Sequence, residues 1–346
     1  PSAAWSGRLI SPSSETPSCV GKRMGSMRGT MPGVATSRQP KGIGFALRDP
    51  LPWKALSGIV RAAEPAGYGA VFLPEISGRD ALVTLGMLAG ETRDLFLGTG
   101  VVPMRSRTPL VAAMGAATVH ERSGGRLILG LGTGDAGAGA LDELRETVGR
   151  IRTLLDGETL ELGDGPQSLS LPPGSPVPIW VSALGPRAMR LAGEIADGVI
   201  LNWCPPERVP FARTRIAEGA ESSGRDPASI TVAVYVRAWV GGDEAEAMSS
   251  LRAMAGQYAS YPAYRRQFEQ VGLGPQAAVA AQAHRAGRSE DVPEVMVRAV
   301  CAVGDAARDR VEAFGQAGAD LPIVYPVATS DAAASIEGTL VGLAPG

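Results

Sequence analysis

The chain has 346 residues, 33 basic and 35 acidic side chains, and a formal net charge of −2 at pH 7. This balance gives no bulk attraction to nucleic acid or to an anionic membrane surface, and no run of about 18 apolar residues could cross a bilayer. The widely spaced Cys19, Cys204 and Cys301 form neither a metal-ligand pattern nor a disulfide framework, which is typical of a cytoplasmic protein. With only His120 and His284 available, we expect neither a histidine-based metal site nor a Ser-His-Asp triad.

Residues 1–40 differ in composition from the rest of the chain. Ser, Pro and Gly dominate there, and six basic residues stand against one acidic residue up to Lys41. Such a stretch cannot bury enough apolar surface to fold, so we predict a disordered or non-native extension before a domain of residues 41–346. An organellar transit peptide is the alternative, because such leaders are rich in Arg and Ser and poor in acids, but a clear amphipathic helix is missing.

From residue 42 onward, short apolar runs alternate with helical patterns. Helices are predicted at 49–67, 78–92, 108–125, 140–158, 185–198, 205–224 and 330–340, with a long helical region at 243–317. The third helix should begin with Thr108 as N-cap and Pro109 in its first turn. Strands are predicted at 42–47, 68–75, 95–103, 126–132, 178–183, 199–203, 230–240 and 321–327.

The strands are apolar throughout rather than alternating, as expected where helices cover both faces of a sheet. Eight βα units in about 300 residues match the count and length of a TIM barrel. We therefore predict a single α/β (β/α)8 TIM barrel with a helical insertion, about 243–317, before strand 8. A doubly wound sheet is the alternative.

Gly132, Gly134 and Gly137 follow the fourth strand and match the G-x-G-x-x-G fingerprint of a dinucleotide-binding turn. Such a turn normally lies in the first βα unit of its domain, whereas three units precede this one. The segment after the fourth helix also lacks the apolar strand that would carry a ribose-binding acid. We interpret the glycines as the end of a barrel strand, where they let a ligand approach the backbone.

Three stretches resemble the bacterial luciferase-like superfamily, and its coenzyme F420-dependent oxidoreductases in particular. They read "LFLGTGVVPMRSRTP", "SGGRLILGLGTGD" and "PVPIWVSALGPRAMRLAGEIADGVILN". The resemblance runs from about Gly42 to Leu340 in the same strand order. It implies a cytoplasmic homodimer that transfers a hydride between deazaflavin F420 and a small organic substrate, whose identity the sequence does not give. An FMN-dependent monooxygenase and a non-catalytic flavin- or deazaflavin-binding protein are the alternatives.

The resemblance also assigns cofactor-binding residues. It places a non-prolyl cis peptide at Gly100–Val101, where it would support the deazaflavin ring from behind; otherwise the glycines of this segment merely turn the strand into its loop. It assigns further cofactor contacts to Gly132, Thr133 and Gly134, and the cofactor phosphate to Leu184, Gly185 and Asn202. A helix starts at Gly185, and its free N–H groups could bind either an anion or water.

Two carboxylates are the candidate catalytic residues. Glu75 and Asp135 directly follow apolar strands, so both should point into the barrel mouth. Related F420 enzymes often have an Asp-His pair after the second strand; this chain has Pro74-Glu75 there and lacks the histidine. A carboxyl group beside the cofactor could hold and relay the proton that accompanies hydride transfer. Alternatively, each caps a helix or pairs with an arginine such as Arg105 or Arg107.

Two further features carry weaker predictions. Residues 257–272 contain three tyrosines, which either shape the substrate pocket or belong to an amphipathic packing helix. Cys204 follows the sixth strand with no activating group in its sequence neighbourhood, so we expect an inert thiol.

Overall fold

A computed structural model describes residues 39–48, 51–134, 137–162 and 165–345. The prediction for residues 1–40 falls almost wholly outside this part of the chain. The central sheet contains eight barrel strands: β1 Gly44–Ala46, β2 Ala70–Leu73, β3 Phe96–Thr99, β4 Leu127–Gly132, β5 Ile179–Ser182, β6 Gly198–Asn202, β7 Thr231–Trp239 and β8 Leu321–Pro326.

Each barrel strand pairs with the next one along the chain, and β8 pairs with β1 in parallel register, Ile323 opposite Gly44. The sheet is therefore closed. This confirms the predicted TIM barrel and excludes the doubly wound alternative, because an open sheet keeps two unpaired edges.

Within the described ranges, twelve α-helices accompany these strands, and most of them cover the outside of the barrel. They are α1 Trp53–Ala63, α2 Ala81–Leu88, α3 Pro109–Arg122, α4 Ala140–Leu155, α5 Pro186–Ile195, α6 Val209–Ser222, α7 Glu244–Ser260, α8 Pro262–Gln270, α9 Gly274–Arg285, α10 Glu294–Val300, α11 Ala307–Gln316 and α12 Ala332–Gly342. The predicted start of α3 is confirmed, since Thr108 Oγ1 accepts the backbone N–H of Val111 and Pro109 is the first helical residue.

Two hydrophobic layers hold the barrel together. Large side chains, including Phe72, Trp180 and Tyr235, fill the interior. A second, larger cluster lies between the outer strand faces and the helices. β2 and β4 are buried along their whole length, which explains why the strands read as unbroken apolar runs.

The region 243–317 is only partly the predicted helical insertion. Helices α7 to α10 form the insertion around a core of their own, but residues 301–303 form a strand that pairs with the end of β7, Cys301 opposite Arg237. The following α11 packs against β7 and β8 as a regular barrel helix. The sequence pattern missed this strand because three apolar residues continue the helical pattern, and it also missed a hairpin formed by Leu160–Leu162 and Gly165–Gln167.

The insertion lies at the carboxyl ends of the barrel strands. Its core includes Trp203, just after β6, and Trp239, the last residue of β7. This end of a TIM barrel carries the active site in essentially all characterised enzymes of the fold. Of the helices in the described ranges, none is long and apolar enough to cross a membrane.

Candidate active site at the barrel mouth

The end of β3 contains a break in the strand. The Gly100–Val101 peptide bond is cis, as predicted, and Val102–Pro103 then resumes pairing with β4. The Thr99 hydroxyl bridges the interruption: it donates to the carbonyl of Gly130 and accepts the N–H of the same residue, both at 2.8 Å. The break is thus a hydrogen-bonded feature of the barrel wall.

Tyr235 holds the carbonyl of Gly100 from inside the barrel. Its hydroxyl donates to Gly100 O at 3.0 Å, and the Gly100 N–H donates to Leu73 O at 2.8 Å. A Cβ atom on Gly100 would lie 1.7 Å from the Tyr235 hydroxyl oxygen. Only glycine therefore fits at this position without a shift of its surroundings.

Close packing also explains the glycines of β4. A Cβ on Gly130 would lie 2.0 Å from Thr99 O, and one on Gly132 would lie 2.6 Å from the Val101 side chain. Gly134 has φ +57, a left-handed conformation that favours glycine. These residues make room for the end of β3, so the fingerprint in the sequence is not a dinucleotide-binding turn.

Of the two predicted catalytic carboxylates, the structure describes only Glu75. Arg107 binds it in a bidentate ion pair, with Nε and Nη2 at 3.1 and 2.6 Å from its two oxygens. Ser106 donates to it as well, and it accepts the N–H of Ala81 at the start of α2. These contacts are those of the arginine-pairing and helix-capping alternative. Asp135 lies outside the described residues, and its catalytic role stays a prediction.

Asp80 completes this carboxylate–arginine cluster. It caps α2 by accepting the N–H of Val83 at 2.9 Å and also pairs with Arg107. Burial raises the pKa of Asp80, but the hydrogen bonds from Val83 and Arg107 outweigh burial and hold it below its ordinary value. Arg107 thus ties the loop after β2 to the loop after β3.

The predicted phosphate site lies at the start of α5. Gly185 occupies the N-cap in an extended conformation, no side chain caps the helix, and Pro186 follows in the first turn. Leu184 and Gly185 are half-buried. The backbone here has the form of an anion-binding helix N-terminus.

Asn202, at the end of β6, has both ends of its amide engaged by protein groups. Its Oδ1 accepts from Arg237, and its Nδ2 donates to the Tyr264 hydroxyl at 2.8 Å. The next residue, Trp203, is buried with φ +52, an uncommon conformation for a bulky side chain. Gln267 of α8 donates to the carbonyls of Asn202 and Trp203, at 2.8 and 2.7 Å, and so holds this turn in place.

Arg237 is the residue of the mouth that the sequence analysis missed. Its guanidinium lies 4.3 Å from the ring centroid of Trp203, 4.9 Å from that of Tyr325 and 5.4 Å from that of Tyr258. Arg237 is the one charged residue in the apolar run 230–240, and this isolated charge would have indicated a special role. Tyr258 and Tyr264 of the insertion contact each other beside the Arg237 guanidinium, with ring centroids 4.8 Å apart. The tyrosine-bearing segment therefore lies at the mouth, as the pocket-shaping alternative requires.

Three further polar side chains near the mouth, those of Cys204, Arg105 and Arg208, are inert, paired or packed. Burial raises the pKa of the Cys204 thiol to about 12, in agreement with the expected inert cysteine. Arg105 pairs with Glu143 at 2.5 Å, and Arg208 is buried against the Phe211 ring. Within the described residues no cluster of three or more His, Cys, Asp or Glu side chains could hold a metal.

The mouth thus offers backbone groups, aromatic rings and a cation. The described residues there show no nucleophile paired with a base. Six residues at the carboxyl ends of β3, β4 and β5 are half-buried: Gly100, Val101, Thr133, Ser182, Leu184 and Gly185. Such a surface is suited to a ligand that supplies its own chemistry, as in cofactor-dependent enzymes.

The chain is similar in sequence to several known proteins. The luciferase-like monooxygenase family matches residues 30–321. A 5,10-methylenetetrahydromethanopterin reductase of Methanolobus tindarius is 34% identical over 224 residues, which cover 60% of this chain and 68% of the relative. An F420-dependent glucose-6-phosphate dehydrogenase of Beutenbergia cavernae is 30% identical over 239 residues, 60% of this chain and 69% of the relative. The alignments thus span about two thirds of these two relatives.

The fold is also that of a solved structure. The coenzyme F420-dependent tetrahydromethanopterin reductase from Methanopyrus kandleri superimposes with a TM-score of 0.72 at 23% identity, covering 88% of this chain and 98% of that one. At this identity the likeness establishes the barrel architecture.

Proposed function

Because the chain belongs to the luciferase-like monooxygenase family, in its F420-dependent branch, we propose that it is an oxidoreductase that transfers a hydride between coenzyme F420 and a small organic substrate. The observation that carries the proposal is the backbone platform at Gly100 and Val101. Tyr235 fixes its carbonyl from behind, and no side chain fits at Gly100.

The residues at the mouth fit a deazaflavin. The Gly100–Val101 backbone would support the ring, and Gly132, Thr133 and Gly134 would contact the cofactor through the adjoining end of β4. Leu184 and Gly185, at the uncapped start of α5, would hold the phosphate. Asn202 is not assigned to the phosphate in this proposal, because both ends of its side-chain amide already bind Arg237 and Tyr264. When bound, F420 supplies the carbon centre that gives or takes the hydride.

The protein's own contribution is orientation and exclusion of water. The barrel wall would hold the cofactor ring, and the insertion, against whose core Tyr258 and Tyr264 pack, would cover the substrate. Holding both reactants in a near-attack geometry can remove about 7–11 kcal/mol of the barrier.

For the proton that accompanies the hydride, we propose Asp135 rather than Glu75, since Arg107 and the α2 N-terminus already bind the Glu75 carboxylate. Asp135→Asn is expected to lower kcat by at least about 10²-fold, the usual scale of general acid–base catalysis, with little change in the F420 dissociation constant. Glu75→Gln is the matched control: it should lower stability and leave kcat within a few-fold. The reverse pattern would assign the proton to Glu75.

An FMN-dependent monooxygenase is the second candidate, because the matching family is that of the luciferase-like monooxygenases. F420H2 oxidation measured over a panel of carbonyl, imine and pterin acceptors tests the first proposal. Tight F420 binding with no oxidation by any acceptor would favour a non-catalytic binding protein. The predicted homodimer can be checked by light scattering in solution.

A further inference from the structure

Arg237 is a buried cation that has no acidic partner among the residues the structure describes. The side chain is 4% exposed, and none of the ion pairs formed within the described residues includes it. It lies two residues after Tyr235 on β7, so both side chains point to the same face of the strand, toward the barrel axis. Burying an isolated charge costs several kcal/mol unless an opposite charge or hydrogen bonds compensate for it.

The hydrogen bonds of Arg237 do not supply this compensation. One of its five donors goes to Asn202 Oδ1, and its Nε is buried without an acceptor. The contrast with Arg126, also buried, is instructive. Arg126 donates from Nε, Nη1 and Nη2 to four backbone carbonyls and one hydroxyl, as a purely structural arginine does.

The rings around Arg237 stabilise its charge but leave its fork open. Trp203, Tyr258 and Tyr325 lie within 5.4 Å of the guanidinium carbon, and cation–π contacts offset part of the desolvation cost. The face of an aromatic ring attracts a cation but offers no lone pair for an in-plane N–H hydrogen bond. Burial raises the pKa of both Tyr235 and Tyr264, so these phenols stay neutral and supply no counter-charge.

We propose that Arg237 is the receptor for an anionic group, a carboxylate or a phosphate, of the substrate. Arginine binds such groups with two parallel hydrogen bonds. The assignment rests on the proposed function, because it places the anion beside the cofactor ring. Arg237 lies two positions beyond Tyr235, so its Cα lies roughly 7 Å further toward the carboxyl end of the strand than that of the residue behind Gly100. It lies under the insertion, whereas the cofactor phosphate is assigned to the start of α5.

Inorganic phosphate is the probe for this site, added to the cofactor-free protein while the unfolding midpoint is measured. We expect phosphate to raise the midpoint of the wild-type protein, and Arg237→Met to remove most of the rise, with any remainder due to the start of α5. Arg252→Met is the control, since it removes the same charge from an insertion arginine that pairs with Glu294 at 2.9 Å; it should keep the rise. If Arg237→Met does not fold, Arg237→Lys serves, since it keeps the charge, loses the fork and should weaken phosphate binding about tenfold.

Titration with F420 separates the substrate from the cofactor as the source of the anion. The proposal expects the same F420 dissociation constant for the wild type and Arg237→Met. A loss of tenfold or more would assign the anion to the cofactor and overturn the proposal. So would the absence of a phosphate effect on the wild type, or an equal effect on Arg237→Met. An Arg237-dependent phosphate effect in a protein that does not bind F420 would instead refute the proposed function and leave the anion site standing.

Discussion

Gly100→Ala tests the packing behind the proposed ring platform. The new Cβ would lie 1.7 Å from the Tyr235 hydroxyl oxygen, 3.1 Å from Cζ of the same ring and 3.2 Å from Cβ of Phe72. Real Cβ contacts are not seen below about 3.0 Å, so the ring or the strand must move by more than 1 Å. Overpacking of this kind costs typically 1–3 kcal/mol, occasionally more. We expect about 3 kcal/mol of lost stability, because the hydrogen bond between Tyr235 and Gly100 is lost as well.

The double variant with Tyr235→Phe identifies the clashing atom. Removing the hydroxyl leaves the nearest ring atom at 3.1 Å, a contact that a small adjustment relieves. Tyr235→Phe alone should cost about 1 kcal/mol, the usual net value of one hydrogen bond. The double variant should then lose about 2 kcal/mol rather than the sum of about 4, a coupling of about 2 kcal/mol.

Urea unfolding at constant m-value measures these differences. Gly149→Ala is the matched control, because a Cβ there meets no atom within 4 Å on the exposed side of α4, and the change should stabilise the protein by about 0.5–1 kcal/mol. A neutral Gly100→Ala variant, or strictly additive losses in the double variant, would refute the described contact between Gly100 and Tyr235.

Three further variants test features that position the site. Glu64 accepts hydrogen bonds from the backbone N–H groups of residues 93–95; these bonds outweigh burial, which raises its pKa, and hold that pKa below its ordinary value. Glu64→Gln should therefore be less stable than the wild type at pH 7, and the difference should shrink toward about pH 3. Urea titrations at both pH values can check this. Arg126→Met leaves several buried carbonyls without donors and should cost about 3–5 kcal/mol in the same assay; a neutral result would contradict its structural role. Gln267→Leu removes both hydrogen bonds to the turn after β6 and should cost about 1–3 kcal/mol and speed limited proteolysis of the insertion; unchanged proteolysis would mean that other contacts hold the insertion.

The barrel could be predicted from the sequence because each of its strands and helices has a local pattern, and the pattern repeats along the chain. Each strand is an apolar run and each helix has its own start pattern, as at Thr108 and Pro109, so the order of elements followed directly. The end of β3 was also predictable, because the resemblance placed the cis bond at Gly100–Val101. The strand at Cys301–Val303 was not, because three apolar residues between helices have no periodicity of their own.

The polar contacts of the site depend on residues far apart in the chain. Glu75 and Arg107 are separated by 32 positions, and the contact between their loops exists only once the barrel closes. The same is true of Arg237 and its rings, which come from the ends of β6 and β8 and from the insertion. A lone charge in an otherwise apolar strand could have marked Arg237, but only the structure shows that it lacks an acidic partner among the described residues.

The cofactor assignment is the central claim, and one paired titration tests it most directly. Purified protein is titrated with F420 and with FMN under the same conditions, and binding is followed by the change in fluorescence of each cofactor. The account predicts saturable F420 binding and no binding of FMN in the same concentration range. Tight FMN binding without F420 binding would contradict it and favour a flavin-dependent monooxygenase.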